Sequence, residues 1–312
     1  LVTGGCCVQP FFSPDGSRVL FLDKPAPDAP TGLWAVTLTQ PLQTPALFSQ
    51  RLGPFSDDMA FNAFLQNGRT MVERTSDGQQ WSIDNGGRRV SFSPDNAHIA
   101  WVVSEQSGNF DVRKGDIYLA NVDGSNARLL ATLYGGGVQG WFHDSQRLLV
   151  SGKAQRDDIT PTLSILNVAD GSLNKLIDVE RARSILLSPD DRWIAYYVSQ
   201  ARDEAQDGMY VLDVTQERPQ PLRLDFFGAY RWCSPTRLYY VPMQTDAPSQ
   251  SLWRFDVTTL QSTPVITAGA DSSFRISNGD WDLSPDGRHV VYVNAIDHNI
   301  WLITLPEACS IS

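Results

Sequence analysis

Positive charge is scarce in this chain: 25 Lys+Arg stand against 35 Asp+Glu in 312 residues, a net charge of −10. Long-range attraction to phosphate backbones or anionic lipid headgroups would have the wrong sign, so neither nucleic acid nor membrane insertion is expected. Long apolar runs are missing as well. No stretch approaches the roughly 18 residues that a membrane-spanning helix needs, and no basic and apolar leader opens the chain. It begins Leu1-Val2-Thr3-Gly4-Gly5 without an initiator methionine, and a mature or excised segment is expected. Cysteine is limited to Cys6, Cys7, Cys233 and Cys309, whose spacing matches no zinc pattern. There is no Gly-x-Ser-x-Gly elbow, Gly-rich phosphate loop, His-Glu-x-x-His pair or calcium loop. Neither a catalytic constellation, a metal nor a cofactor is therefore implied. The histidines His98, His143, His289 and His298 occupy scattered repeat positions and read as surface or hydrogen-bonded groups.

What the chain has in quantity is one short pattern, repeated. Its last copy holds a β-run ending at Leu283, the turn Ser284-Pro285-Asp286-Gly287, a second run from His289 to Val293 and a third from Ile300 to Ile303. Pro285 presets φ for the second position of a tight turn, Asp286 offers a side-chain acceptor and Gly287 tolerates positive φ. The β-branched and aromatic residues on either side favour a pleated surface. The turn recurs as Ser13-Pro14-Asp15-Gly16, Ser93-Pro94-Asp95-Asn96, Phe142-His143-Asp144-Ser145 and Ser188-Pro189-Asp190-Asp191, with eroded forms at Leu65-Gln66-Asn67-Gly68 and Ser234-Pro235-Thr236. Taken at the proline position, successive turns lie 52, 28, 49, 46, 45 and 51 residues apart. The short second unit is expected to lack its outermost strand. The repeat aspartates read as turn acceptors rather than acids or ligands.

A period in the forties with three or four strands per unit marks an array in which no unit buries its own faces. Stacking four-stranded sheets around an axis meets that need. The expectation is an all-β protein, a β-propeller of mostly four-stranded antiparallel blades forming a single domain over residues 1–312, with seven blades preferred and six as the alternative.

The Ser-Pro-Asp-Gly turn followed by a β-run and an Ile-Trp or Tyr run resembles the TolB-type propeller repeats, which are also similar to propeller domains of prolyl-oligopeptidase-like proteins. Combined with the missing catalytic constellation, the resemblance implies a non-catalytic binding or scaffold propeller. Such a protein would receive a peptide or protein partner on one face or at the channel mouth, as a monomer in an extracytoplasmic setting, periplasmic or cell-surface. The alternatives are a propeller domain excised from a larger enzyme or receptor, and an enzyme acting on an anionic small molecule in the central channel.

In a propeller the chain ends meet where the ring closes. Cys309 is then expected to bond Cys6 or Cys7, with a Cys6–Cys7 bridge as the other pairing and Cys233 as a small buried hydrophobe. The residues before each inner run would line a channel mouth: Gln9, Phe61, Arg88, Arg89, Gln139, Arg183, Tyr230, Arg231 and Asp280. Their arginines suit planar oxyanions. The competing reading pairs them with Asp58, Asp271 or Asp282.

Overall fold

The computed structural model describes residues 1–3, 8–38, 44–243, 249–269 and 274–309. The chain divides into two compact units, one of residues 1–52 with 225–312 and the other of residues 53–224. Among the described residues every strand ladder is antiparallel between sequence neighbours, as a meander requires.

The second unit writes the pattern four times. The strands Phe61–Gln66, Arg69–Arg74 and Gln80–Ile83 form one sheet, extended on its inner side by a bridge between Phe55 and Asn62. Val90–Phe92, His98–Ser104 and Lys114–Asn121 lead into the 14-residue strand Arg128–Trp141. The second half of that strand starts the next meander, with Arg147–Lys153, Thr162–Asn167 and Leu173–Asp178. Ala182–Leu187, Trp193–Val198, Gly208–Asp213 and Leu222–Arg223 complete the unit.

The first unit holds two four-stranded sheets, from Val8–Phe12 to Ala46–Ser49 and from Gly228–Ser234 to Gln261–Ile266. A third sheet contains Ile276–Leu283, His289–Asn294 and Ile300–Thr304. Its outer edge is completed by the chain start, where Val2 and Ile300 exchange two backbone hydrogen bonds of 3.2 and 3.1 Å.

The second strand of each sheet explains why the copies must stack. Leu148, Leu149 and Val150 are all buried, as are Ile194, Ala195 and Tyr196, and Val290, Val291 and Tyr292. Consecutive strand residues face opposite ways, so such a strand is covered on both sides. The cover comes from the neighbouring sheets: Leu149 and Leu163 pack in one cluster with Ile194, Tyr196 and Leu212. Outer strands such as Leu173–Asp178 are largely exposed.

The repeated turn is held by its own side chains. Ser13 Oγ donates to Asp15 and accepts the Arg18 N–H, and the same pair of bonds recurs at Ser93, Ser188 and Ser284. It also recurs at Ser56, which donates to Asp58 and accepts from Phe61 N–H. The true second turn is therefore Ser56-Asp57-Asp58-Met59, not Leu65-Gln66-Asn67-Gly68, which is the next hairpin along the sheet. The correction also moves the short strand of that meander from its outer to its inner side. Asp57 in place of proline, and Met59 at φ 60°, hid the turn from a search for proline and glycine.

In the second unit the fourth turn residue is left-handed without being glycine, and in the last three of these turns its side chain ties the turn to the one before. Asn96 (φ 57°) donates to Asp58, Ser145 Oγ (φ 58°) accepts the Asp95 N–H, and Asp191 (φ 62°) accepts the His143 N–H. His143 Nδ1 also lies 2.6 Å from Asp191. These contacts offset the strain of positive φ.

The cysteine expectation is corrected. Cys309 bonds Cys233, across 76 residues of sequence, and Cys6 and Cys7 lie outside the described residues. The chain start does return to the last sheet, but through Val2. The tail instead runs back over the preceding turn, where the Cys309 N–H donates to Gly287, and so reaches the strand Gly228–Ser234.

The turn bonds set an acid limit on stability. Hydrogen bonds from Ser13 and Ser17 hold Asp15 at about 2. Burial pushes Asp58, Asp95 and Asp286 up, but bonds from serine hydroxyls and turn amides outweigh it and keep them below the ordinary value. A carboxylate whose folded pKa is depressed contributes stability above its unfolded pKa, near about 4, and loses it as pH falls. Thermal melting followed against pH is expected to collapse between about pH 4 and about pH 2. A midpoint that is flat across that window would refute the assignment.

Candidate functional site

Three glycines in a row make room for the main cleft of the second unit. A Cβ at Gly135, whose φ is 67°, would lie 2.6 Å from the Asp111 carbonyl oxygen, and one at Gly136 would lie 2.0 Å from that of Ser151. Side chains here would drive away the short 3-10 turn Phe110–Val112 on one side and the strand Arg147–Lys153 on the other. With glycine both stay close. The resulting cleft of about 550 Å³ is floored by backbone and by Gln139, Ser151 and Lys153. Its walls come from Phe110 and Asp111, from Ile159 and Pro161, and from the segment 179–183 with Arg202.

Its charge opposes that of the whole protein. Lys153, Arg181, Arg183 and Arg202 line the cleft against two carboxylates, Asp111 and Glu180. Arg202 and Glu180 pair with each other at 3.4 Å, leaving cationic excess. Lys153 is the unusual member. It is 6% exposed, and among the described residues it has neither an ion pair nor a side-chain hydrogen bond. Its stem is packed, while its ammonium is not among the buried side-chain atoms that lack a partner, so it is reachable by an arriving anion. Gln139 donates to Ser151 at 2.8 Å, which holds its amide at the floor.

Of the residues singled out from sequence, Gln139 and Arg183 meet in this cleft. Arg88 and Arg89 line a separate hollow of about 150 Å³ in the same unit, where the Arg88 carbonyl accepts from Thr70 and Asn85. Tyr230, Arg231 and Asp280 belong to the first unit. There Tyr230 is buried, and Arg231 donates to the carbonyls of Tyr230 and Trp281 while stacking 5.4 Å over the Trp281 ring. Burial raises the Asp280 carboxyl, opposed by the Gln9 N–H. Of the proposed ion-pair partners, Asp58 accepts from Ser56, Ala60 and Asn96, Asp282 accepts from the Phe12 N–H and also feels the Arg231 charge, and Asp271 lies outside the described residues. Lys153, Arg181, Arg202 and Phe110 were not singled out. Lys153 ends a second-strand run, away from the inner-run positions searched, and its only sequence signal is the triple glycine that pairs with its strand.

Meanders of this length and burial define the chain as a β-propeller. No protein-family model matches the sequence, and no curated protein matches it. Solved structures do. An oligogalacturonate lyase in complex with manganese is 14% identical with a TM-score of 0.64, over 97% of this chain and 91% of its own. The oligogalacturonate lyase of Vibrio parahaemolyticus is 11% identical with a TM-score of 0.65, over the same shares. An acylaminoacyl peptidase of Pyrococcus horikoshii is 12% identical with a TM-score of 0.60, over 98% of this chain and 52% of its own, so the chain spans about half of that peptidase. The likeness to prolyl-oligopeptidase-type propellers thus extends to the structure, and TolB structures also match, at TM-scores of 0.44 and 0.46.

These matches correct the expectation of a non-catalytic scaffold. The two lyase chains share the fold over nearly their whole length and carry no room for a separate hydrolase domain, yet they are enzymes. The missing serine elbow argues only against one kind of chemistry. Among the described residues no three His, Cys, Asp or Glu side chains cluster to hold a metal. That donor set does not fit the manganese of the first lyase, and no step is derived through one.

Proposed function

We propose that the protein is a propeller enzyme acting on an anionic, carboxylate-bearing carbohydrate in the cleft of its second unit. The observation that carries this reading is Lys153, without an ion pair among the described residues, in a cationic cleft on an acidic protein. The cleft size suits an oligosaccharide fragment. A uronate carboxylate would supply the charge that Lys153 lacks, and Arg183 could grip its planar oxygens. Neutralising a carboxylate also favours loss of the proton on the adjacent carbon, because the charge that develops on the carboxyl oxygens meets fixed cations. Transfer of that proton to a cleft base such as the Asp111 carboxylate, with the C–O bond one carbon further on breaking and the leaving oxygen taking a proton from water, gives the double bond of an elimination, the reaction class named for the lyases of similar fold. The buried disulfide supports an extracytoplasmic setting, where such bonds persist.

Calorimetric titration with oligogalacturonate of defined length is expected to give saturable binding that weakens with salt. Turnover would appear as ultraviolet absorbance of an unsaturated uronide. Arg183→Ala is expected to weaken binding about ten-fold, the size of one charge-assisted contact. Arg231→Ala, remote from the cleft residues in sequence and tied to backbone carbonyls, should leave it unchanged. Failure of the unaltered protein to bind at low salt would sink the reading.

A further inference from the structure

Two large apolar side chains stand exposed at the cleft where a soluble protein gains nothing by showing them. Phe110 is 61% exposed and Ile159 is 75% exposed, and both line the cavity that Lys153 floors. They sit on loops of adjacent meanders, 105–113 and 154–161. The first loop is built firmly: the Phe110–Val112 turn is capped by Asn109, whose side chain accepts the Asp111 N–H, and the Gly135 N–H donates to Arg113. The second is tied to the first by an ion pair of 2.9 Å between Arg156 and Glu105, with the Arg156 guanidinium 5.2 Å over the Tyr134 ring. The apolar pair is thus held in place beside a polar, cationic floor.

A ligand matching that layout must be amphipathic, with a carboxylate at one place and an apolar ring face at another. A pyranose offers its axial C–H face to an aromatic ring, and the ring stacks on it through dispersion. Resting on the proposed function, we infer that Phe110 and Ile159 form an apolar subsite for the saccharide unit next to the one whose carboxylate Lys153 holds. The cleft therefore selects uronides of two or more units over a single uronate.

The test compares galacturonate with trigalacturonate by calorimetry on the full chain, before and after Phe110→Ala. The unaltered protein is expected to favour the trimer, and Phe110→Ala to cut that preference about ten-fold. Phe110→Trp, which keeps a stacking face, should retain it. If the trimer binds but its preference survives Phe110→Ala, the subsite is wrong and the carboxylate site stands. If neither sugar binds the unaltered protein, the functional reading falls and takes the subsite with it.

Discussion

Lys153→Met is expected to weaken anion binding more than about ten-fold and to leave stability nearly unchanged. The two effects have separate causes. In the folded chain the stem of Lys153 is packed, and its ammonium lines the cleft with no ion pair or side-chain hydrogen bond among the described residues. Methionine keeps most of the side-chain volume and its flexibility while removing the charge, so it fits the same space. For the ligand the charge decides: a carboxylate brought into the cleft would lose a charge-assisted hydrogen bond, at a cost of about 1.5–3 kcal/mol, or upwards of ten-fold in affinity. Denaturant unfolding and titration with trigalacturonate read the two halves separately. Lower stability with intact binding would show a lysine kept for architecture and end its role as the anchor.

The contrast between that lysine and the residues chosen from sequence shows what a repeat can and cannot reveal. The fold was legible because each Ser-x-Asp turn is self-contained: its bonds run between residues two to five apart, so the chemistry is written within a short window. The exception shows the limit of the same rule. At Ser56-Asp57-Asp58-Met59 the serine and aspartate bonds survive while proline and glycine are gone. A search keyed to proline shifted to the next hairpin and misjudged which strand was short. The site was half legible. Gln139 and Arg183 both lie on inner strands a few residues before a turn, which is why position along the repeat found them. Lys153 is defined by its packed stem and its place in the cleft with Phe110, Gly136 and Arg202, and no spacing encodes these. The cysteines failed for a related reason: the closure of the chain start through Val2 leaves the tail free to run elsewhere.

Removing the Cys233–Cys309 bond is expected to cost about 2–4 kcal/mol of stability, the usual effect of losing a cross-link over a long loop. Cys309 is fully buried, in a cluster with Tyr239, Trp281 and Tyr292, so the tail is part of the core of the last sheet. That sheet is weakly provided for. It has three strands of its own among the described residues, and its outer edge is met by the single pairing of Val2 with Ile300. The tail adds the Leu305 N–H to Arg288 and the Cys309 N–H to Gly287, and the disulfide then anchors both to the strand Gly228–Ser234. Cys309→Ala, Cys233→Ala and the double substitution should therefore lower the denaturation midpoint by similar amounts, since each removes the same bond and a second change removes nothing more. Because Cys309→Ala also empties buried space, Cys233→Ala is the cleaner measure. Protease cleavage after Leu305 should become faster in all three, because local opening of the tail would no longer need the bond to break. Equal stability with and without reductant, with reduction verified by mass, would show that packing alone holds the tail in place.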